Sequence, residues 1–209
     1  MAGARAGRAA ALWAAVGLLA AVAAVAVSLR LMRRPLPVIA EVPAFELVDQ
    51  SGGAFGSEDL AGHVWVASFI YTRCEGPCPI IVDRLGRLAR ALRDEDDLRI
   101  VSFSVDPQYD TPPVLAAYAR SHGIDGRRWK LLTGQPQVVL DLIRRGFFLP
   151  VEIAAGGDAK AAERVTHSVR LVLVDRRQRI RGYYDSQDAK DLRRLEDQAR
   201  DLLGEDEPA

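Results

Sequence analysis

The chain carries only two cysteines in 209 residues, and they stand together in Phe69-Ile70-Tyr71-Thr72-Arg73-Cys74-Glu75-Gly76-Pro77-Cys78-Pro79. Two thiols cannot build a disulfide framework or complete a four-thiolate zinc site. Three chemistries remain: an inert buried pair packed as small hydrophobes, a dithiol redox switch, or two soft ligands for a metal such as Cu(I) that wants a third donor. The spacing of four brings both sulfurs to one side of a helix start. There the helix N–H groups and dipole favour thiolate, and Arg73 adds a positive charge. Glu75 opposes a second anion and favours a bound cation. Pro77 stiffens the loop.

A third donor must be histidine or methionine. Met1 and Met32 fall outside the folded domain, leaving His63, His122 and His167. His63 follows Ala61-Gly62 in a turn, where a surface side chain is expected. His122, in Ser121-His122-Gly123, sits at a helix end, where a cation complements the dipole. His167 stands between a loop and an apolar strand, so the residue pattern leaves it open between ligand and ordinary structural histidine.

The elements that must position these groups alternate. Pro43 to Val48 reads as a first strand and Asp49 to Gly53 as a turn. Val64 to Ile70 is an apolar run, the pattern of a strand buried on both faces. Ile81, Leu85, Leu88 and Leu92 form a helical stripe behind the cysteines. Ile100 to Val105 is a second buried strand. Thr111-Pro112 then starts a helix to about Ser121, with Asp106 and Asp110 either capping it or tuning the cysteine site. Trp129 to Leu132 reads as a strand, Gln135 to Arg145 as a helix, and Phe147 to Ile153 as extended. A mobile loop is expected at 154–160. Val165 to Val174 and Gln178 to Tyr184 read as a hairpin, and Leu192, Leu195 and Leu202 mark a closing helix. The pattern predicts a three-layer α/β domain with the cysteine loop at the carboxyl end of a central strand, where open α/β sheets place their sites.

Ala9 to Leu29 is uncharged and, as a helix, spans roughly 31 Å, long enough for a bilayer core and longer than a signal h-region. The expected layout is a cytoplasmic N-terminus at 1–8, a transmembrane anchor at 9–29, a proline-spaced linker at 30–42, the domain at 43–203 and a tail at 204–209. The formal net charge is +0, which gives no electrostatic reason to expect a nucleic-acid partner.

Several stretches together resemble the Sco/SenC copper chaperones of cytochrome c oxidase assembly. They are Pro43-Ala44-Phe45-Glu46-Leu47; Phe69-Ile70-Tyr71-Thr72 leading into Cys74-x-x-x-Cys78-Pro79; Ser104-Val105-Asp106-Pro107-Gln108-Tyr109-Asp110-Thr111-Pro112; Trp129-Lys130-Leu131-Leu132-Thr133-Gly134; and Thr166-His167-Ser168. Glu75 departs from the family, which places proline directly after the first cysteine. The resemblance implies a thioredoxin-like fold with a central mixed sheet, and copper held by Cys74, Cys78 and His167. It further implies a metallochaperone rather than an enzyme, anchored in the bacterial inner membrane by a single pass and facing the periplasm or cell exterior. Its expected partner is the copper-bearing oxidase subunit, with another copper donor or a thioredoxin-like reductase as further partners. The competing expectations are a thiol–disulfide reductase in which Cys74 attacks and Cys78 resolves, and a redox or copper sensor.

Overall fold

A computed structural model describes residues 13, 16–18, 20–22, 24, 35–152, 166, 167 and 169–205. The chain divides into two compact units, Met1–Leu36 and Pro37–Ala209. In the first unit the described residues between 13 and 24 are helical, and Trp13, Val16, Leu18 and Val22 are each more than half exposed. Most of the expected anchor at 9–29 lies outside the described residues. Among the described residues no helix is long and apolar enough to cross a membrane.

The second unit is built on an eight-stranded mixed sheet. Its strands are β1 (Ala40–Glu41), β2 (Glu46–Asp49), β3 (Ala54–Gly56), β4 (Val64–Ile70), β5 (Leu98–Ser104), β6 (Trp129–Thr133), β9 (Arg170–Val174) and β10 (Arg179–Asp185). A separate two-stranded ribbon pairs β7 (Val151–Glu152) with β8 (Thr166–His167). The order across the large sheet is β1-β10-β9-β4-β5-β6-β2-β3. Strands β4, β5 and β6 run parallel, and the outer pairings are antiparallel. Every residue of β4 is buried, as its apolar run requires of a strand covered on both faces.

The helices are α1 (Pro77–Ala91), α2 (Pro112–Ser121), α3 (Pro136–Asp141) and α4 (Ala189–Leu203). On one face α1 lies between α2 and α4, with Leu85 and Leu88 turned inward. On the other face α3 runs into a π turn at Leu142–Gly146. This turn delivers Phe147 onto Trp65, Phe69 and Phe103, at ring-centroid distances of 6.0, 5.2 and 5.2 Å. These aromatic pairs and the aliphatic side chains around them bury the area that holds the layers together.

The structure differs from the sequence pattern in several places, among them Val165–Val174, expected as one strand of a hairpin but split between β8 in the ribbon and β9 in the large sheet. The stretch expected as linker contains β1: Ile39 N–H donates to Ile180 O at 2.9 Å and Val42 N–H to Gln178 O at 2.8 Å. A two-residue edge strand is defined by its partner and not by its own composition. The expected helix over Gln135 to Arg145 is α-helical only to Asp141 before widening into the π turn. The expected mobile loop at 154–160 lies outside the described residues.

Candidate metal and thiol centre

The site is set by the parallel pairing of β4 and β5. Ile70 stands opposite Ser104, and Val105 N–H donates to Ile70 O at 2.8 Å. The loops leaving the two strands therefore run side by side at the carboxyl edge of the sheet. The first loop carries the cysteines. Cys74 N–H closes a turn onto Tyr71 O at 3.2 Å. Gly76 is the N-cap of α1, Pro77 is its first residue and Cys78 its second. Cys78 thus sits in the opening turn of the helix.

The two cysteines are thiols and both are buried, Cys74 at 7% and Cys78 at 0% relative exposure. Cys74 Sγ accepts the Cys78 backbone N–H at 3.4 Å, which places that sulfur at the unsatisfied N–H groups of the helix start. Burial pushes the Cys78 thiol well above the ordinary thiol range, and its hydrogen bond with Cys74 adds to the rise. Tyr71 is raised by burial and by its hydrogen bond with Cys74. Tyr118, on α2, is raised by burial first and then by Cys78, Cys74 and Asp110. Its buried hydroxyl has no hydrogen-bond partner among the described residues.

The second loop braces the first. Arg73 Nη2 donates to Asp106 Oδ2 at 2.6 Å, and its guanidinium lies 4.0 Å from the centroid of the Tyr109 ring. The positive charge expected beside the thiols is therefore engaged by a carboxylate. Asp110, 0% exposed, accepts from Ser104 Oγ at 2.6 Å, Thr72 Oγ1 at 2.5 Å and Thr72 N–H at 3.2 Å. Burial raises the Asp110 carboxyl above its usual range, against the lowering by Ser104 and Thr72. Neither aspartate caps α2. Thr111 takes the N-cap position, but its side chain makes no capping hydrogen bond.

The histidines separate. His63 faces Arg99 at 3.3 Å and Asp97 at 3.8 Å, at the opposite end of β4 from the cysteines. His122 closes α2, stacked on Tyr118 at 4.0 Å. His63 is half-buried between these partners where a surface side chain was expected, and His122 takes its expected place at the helix end. His167 lies in β8, its backbone opposite Val151; its side chain lies outside the described residues. Because β9 runs antiparallel to β4, with Ala67 opposite Val172, the chain entering β9 at Arg170 arrives at the cysteine edge of the sheet. Among the described residues no group of three or more His, Cys, Asp or Glu side chains stands ready to hold a metal. The buried sulfur pair by itself fits a soft cation and not a hard one.

The sequence reading did not foresee the roles of Thr72, Ser104, Tyr71 or Tyr118. Ser104 and Asp110 could have been flagged from β-strand register alone, because a buried serine at the end of one parallel strand faces the loop leaving its neighbour.

Fold and site together define an α/β domain presenting a buried CxxxC dithiol at the carboxyl edge of its central strands. The SCO1/SenC family profile matches residues 36–202, and the chain belongs to that family. It is 39% identical over 102 residues to the SCO1 protein homolog of Bacillus subtilis, a match covering 48% of this chain and 53% of that protein's length. Its fold superposes on BsSco, a member of the Sco family of cytochrome c oxidase assembly proteins in which a disulfide switch has been identified (TM-score 0.70, 26% identity, 82% of this chain and 98% of that one). It also superposes on Bradyrhizobium japonicum ScoI with copper bound (TM-score 0.63, 26% identity, 78% and 100%). These are thioredoxin-like structures, and the mixed sheet described above matches them.

Proposed function

We propose that this protein is a copper metallochaperone that binds its cargo through Cys74, Cys78 and His167 and serves assembly of the binuclear copper centre of cytochrome c oxidase. The observation that carries this reading is the buried sulfur pair at the start of α1 in a chain of the SCO1/SenC family, a relative of which holds copper. The antiparallel entry of β9 supports His167 as third donor, since it brings the chain that follows this residue to the cysteine edge. Binding a cation replaces thiol protons, so acid releases the metal. Oxidation of the pair to a disulfide passes two electrons and two protons to a disulfide-bearing partner and removes both sulfur donors, so redox state gates loading.

A second reading, a thiol–disulfide reductase for the oxidase subunit's cysteines, is favoured by one contact. Cys74 Sγ is the sulfur that accepts a helix N-terminal N–H, as an attacking thiol would; Cys78, wholly buried, would resolve.

The test is copper stoichiometry on the reduced segment 36–209, wild type and His167→Ala, alongside disulfide-exchange rates on the same samples. Lost copper with retained exchange supports the chaperone. Unchanged copper affinity with failed exchange supports the reductase.

We further propose that 9–29 anchors the chain in the bacterial inner membrane, with the domain on the periplasmic side. The exposed apolar side chains of Trp13, Val16, Leu18 and Val22 support this, because they need cover that water does not give. Retention of the full chain in membranes washed with alkaline carbonate is the expected outcome, and its release would remove the anchor.

A further inference from the structure

The large apolar side chains that the domain core does not use include Ile39 and Phe148, which line one hollow where the chain enters the sheet edge, and Val38 beside them in the chain. Val38 and Ile39 are 52% and 49% exposed, and Phe148 is 60% exposed. Ile39, Ala40, Phe148, Leu149, Arg170 and Tyr183 line a hollow of about 540 Å³. Phe148 is held outward by its backbone: its φ of 54° is left-handed, a conformation uncommon for a bulky residue without functional or structural cause. Both neighbours are pinned. Phe147 is fully buried among Trp65, Phe69 and Phe103, and its carbonyl accepts from Tyr183 Oη at 3.1 Å. Leu149 N–H donates to Ile143 O at 3.2 Å. The π turn and the left-handed step thus put one aromatic ring into the core and the next into solvent. Three residues after Phe148 begins β7, the partner of the strand that carries His167.

We propose that this edge rests on a lipid surface, with Phe148 and Ile39 set shallowly among the headgroups and Arg170 at the polar boundary. The inference rests on the membrane-anchor reading, because the choice of lipid follows from the tether. Ile39 comes ~10 residues after Leu29, the end of the uncharged stretch, so even a fully extended connection keeps it within ~35 Å of that end. That connection carries Arg30, Arg33 and Arg34, which anionic headgroups attract. Exposed aromatic and aliphatic side chains bordered by arginine are the composition of an interfacial contact. The contact would hold the β7–β8 ribbon close to the membrane, where a membrane-bound acceptor presents itself.

The test uses the full chain in vesicles of phosphatidylethanolamine and phosphatidylglycerol with brominated acyl chains, reading tryptophan quenching. Trp13 reports the anchor, while Trp65 and Trp129 are buried in the domain and serve as background. Phe148→Trp and, separately, Ile39→Trp are expected to lose most of their added emission. Val138→Trp, at a 44% exposed position of α3, is expected to keep its own. Quenched Trp13 with unquenched positions 148 and 39 would overturn the lipid contact and leave the anchor standing. Unquenched Trp13 would remove the anchor and this inference with it. A concentration-dependent blue shift at position 148 without lipid would assign the patch to a second copy of the chain, which also overturns the proposal.

Discussion

Replacing Asp110 with alanine is predicted to lower the stability of the domain by about 3 kcal/mol and to loosen the cysteine loop. The carboxylate is fully buried and takes hydrogen bonds from the hydroxyls of Ser104 and Thr72 and from the Thr72 N–H. Alanine leaves three donors without an acceptor, and a buried unsatisfied donor costs about 1–3 kcal/mol. The two hydroxyls can rotate toward other acceptors, whereas the N–H cannot, so the sum falls well below three full penalties. Removing the buried carboxyl also recovers some of its own desolvation cost. With a urea slope of about 2 kcal/mol per M for a domain of this size, the midpoint drops by about 1.5 M. Asp110→Asn keeps the shape and one acceptor and is expected to cost only about 1 kcal/mol. The pair also separates by pH. Burial raises the Asp110 carboxyl, so the folded protein holds a proton that the unfolded chain has released. That contribution is complete below the unfolded value and is lost as pH rises through the folded one. Wild type therefore loses stability relative to Asp110→Asn as pH rises from about 4. The assay is urea unfolding of the segment 36–209 followed by far-UV circular dichroism, with alkylation rates of Cys74 and Cys78 as the local readout. An alanine variant within about 0.3 M of wild type, with unchanged thiol reactivity, would refute the bracing role.

Three further outcomes follow from single contacts. Arg73→Ala removes the 2.6 Å bond to Asp106 and the stacking on Tyr109, and is expected to cost about 2 kcal/mol by thermal or urea unfolding. Asp49 is buried, which by itself would raise its carboxyl, but Lys130, Ser51 and Gly53 outweigh this and hold it near about 2. Its stabilisation is therefore full above the unfolded value near 3.8 and disappears as pH falls toward about 2. Urea midpoints measured down that range should fall less steeply in Asp49→Asn. Phe148→Asn places a residue that tolerates left-handed backbone at φ 54° and surrenders a ring that is mostly exposed. The melting temperature is predicted to stay level or rise, and a clear fall would mean that the ring packs in the free domain.

Much of the fold was legible because its central elements are patterned locally. Val64–Ile70 is apolar but for Ser68 and forms β4 with those same bounds, and the stripe Ile81, Leu85, Leu88, Leu92 marks the buried side of α1 and its C-terminal cap. What escaped depends on partners distant in the chain. Strand β1 was hidden behind Pro35 and Pro37 because only its pairing with β10 makes it a strand. The aspartates were harder. Thr111-Pro112 carries the signature of a helix start, and α2 does start there, which invites reading Asp106 and Asp110 as caps. Their carboxylates instead reach across to Arg73 and Thr72, a contact fixed by the β4–β5 register and invisible to local spacing. For the candidate site, sequence spacing correctly grouped Cys74 and Cys78 at the head of α1, while the place of the His167 ring depends on tertiary geometry that neither periodicity nor spacing encodes.

That correction changes the electrostatics of the thiols. A helix N-terminus and a free arginine would together favour a resting thiolate. Here the arginine is engaged by Asp106, Cys78 is sealed from water, and Asp110 lies close enough to raise the thiol further. The protein environment thus disfavours negative charge on Cys78 unless a compensating positive charge enters with it. A soft cation brings that charge itself, and so trades readily with the thiol proton. A disulfide partner brings none, and reaches Cys78 only after Cys74 has reacted. The arrangement therefore favours metal exchange over fast turnover as a reductase. The expected signature is slow alkylation of Cys78 in the reduced protein, and a proton release on copper binding that is smaller in Cys78→Ser. Fast alkylation of Cys78 at neutral pH would contradict the burial on which this rests.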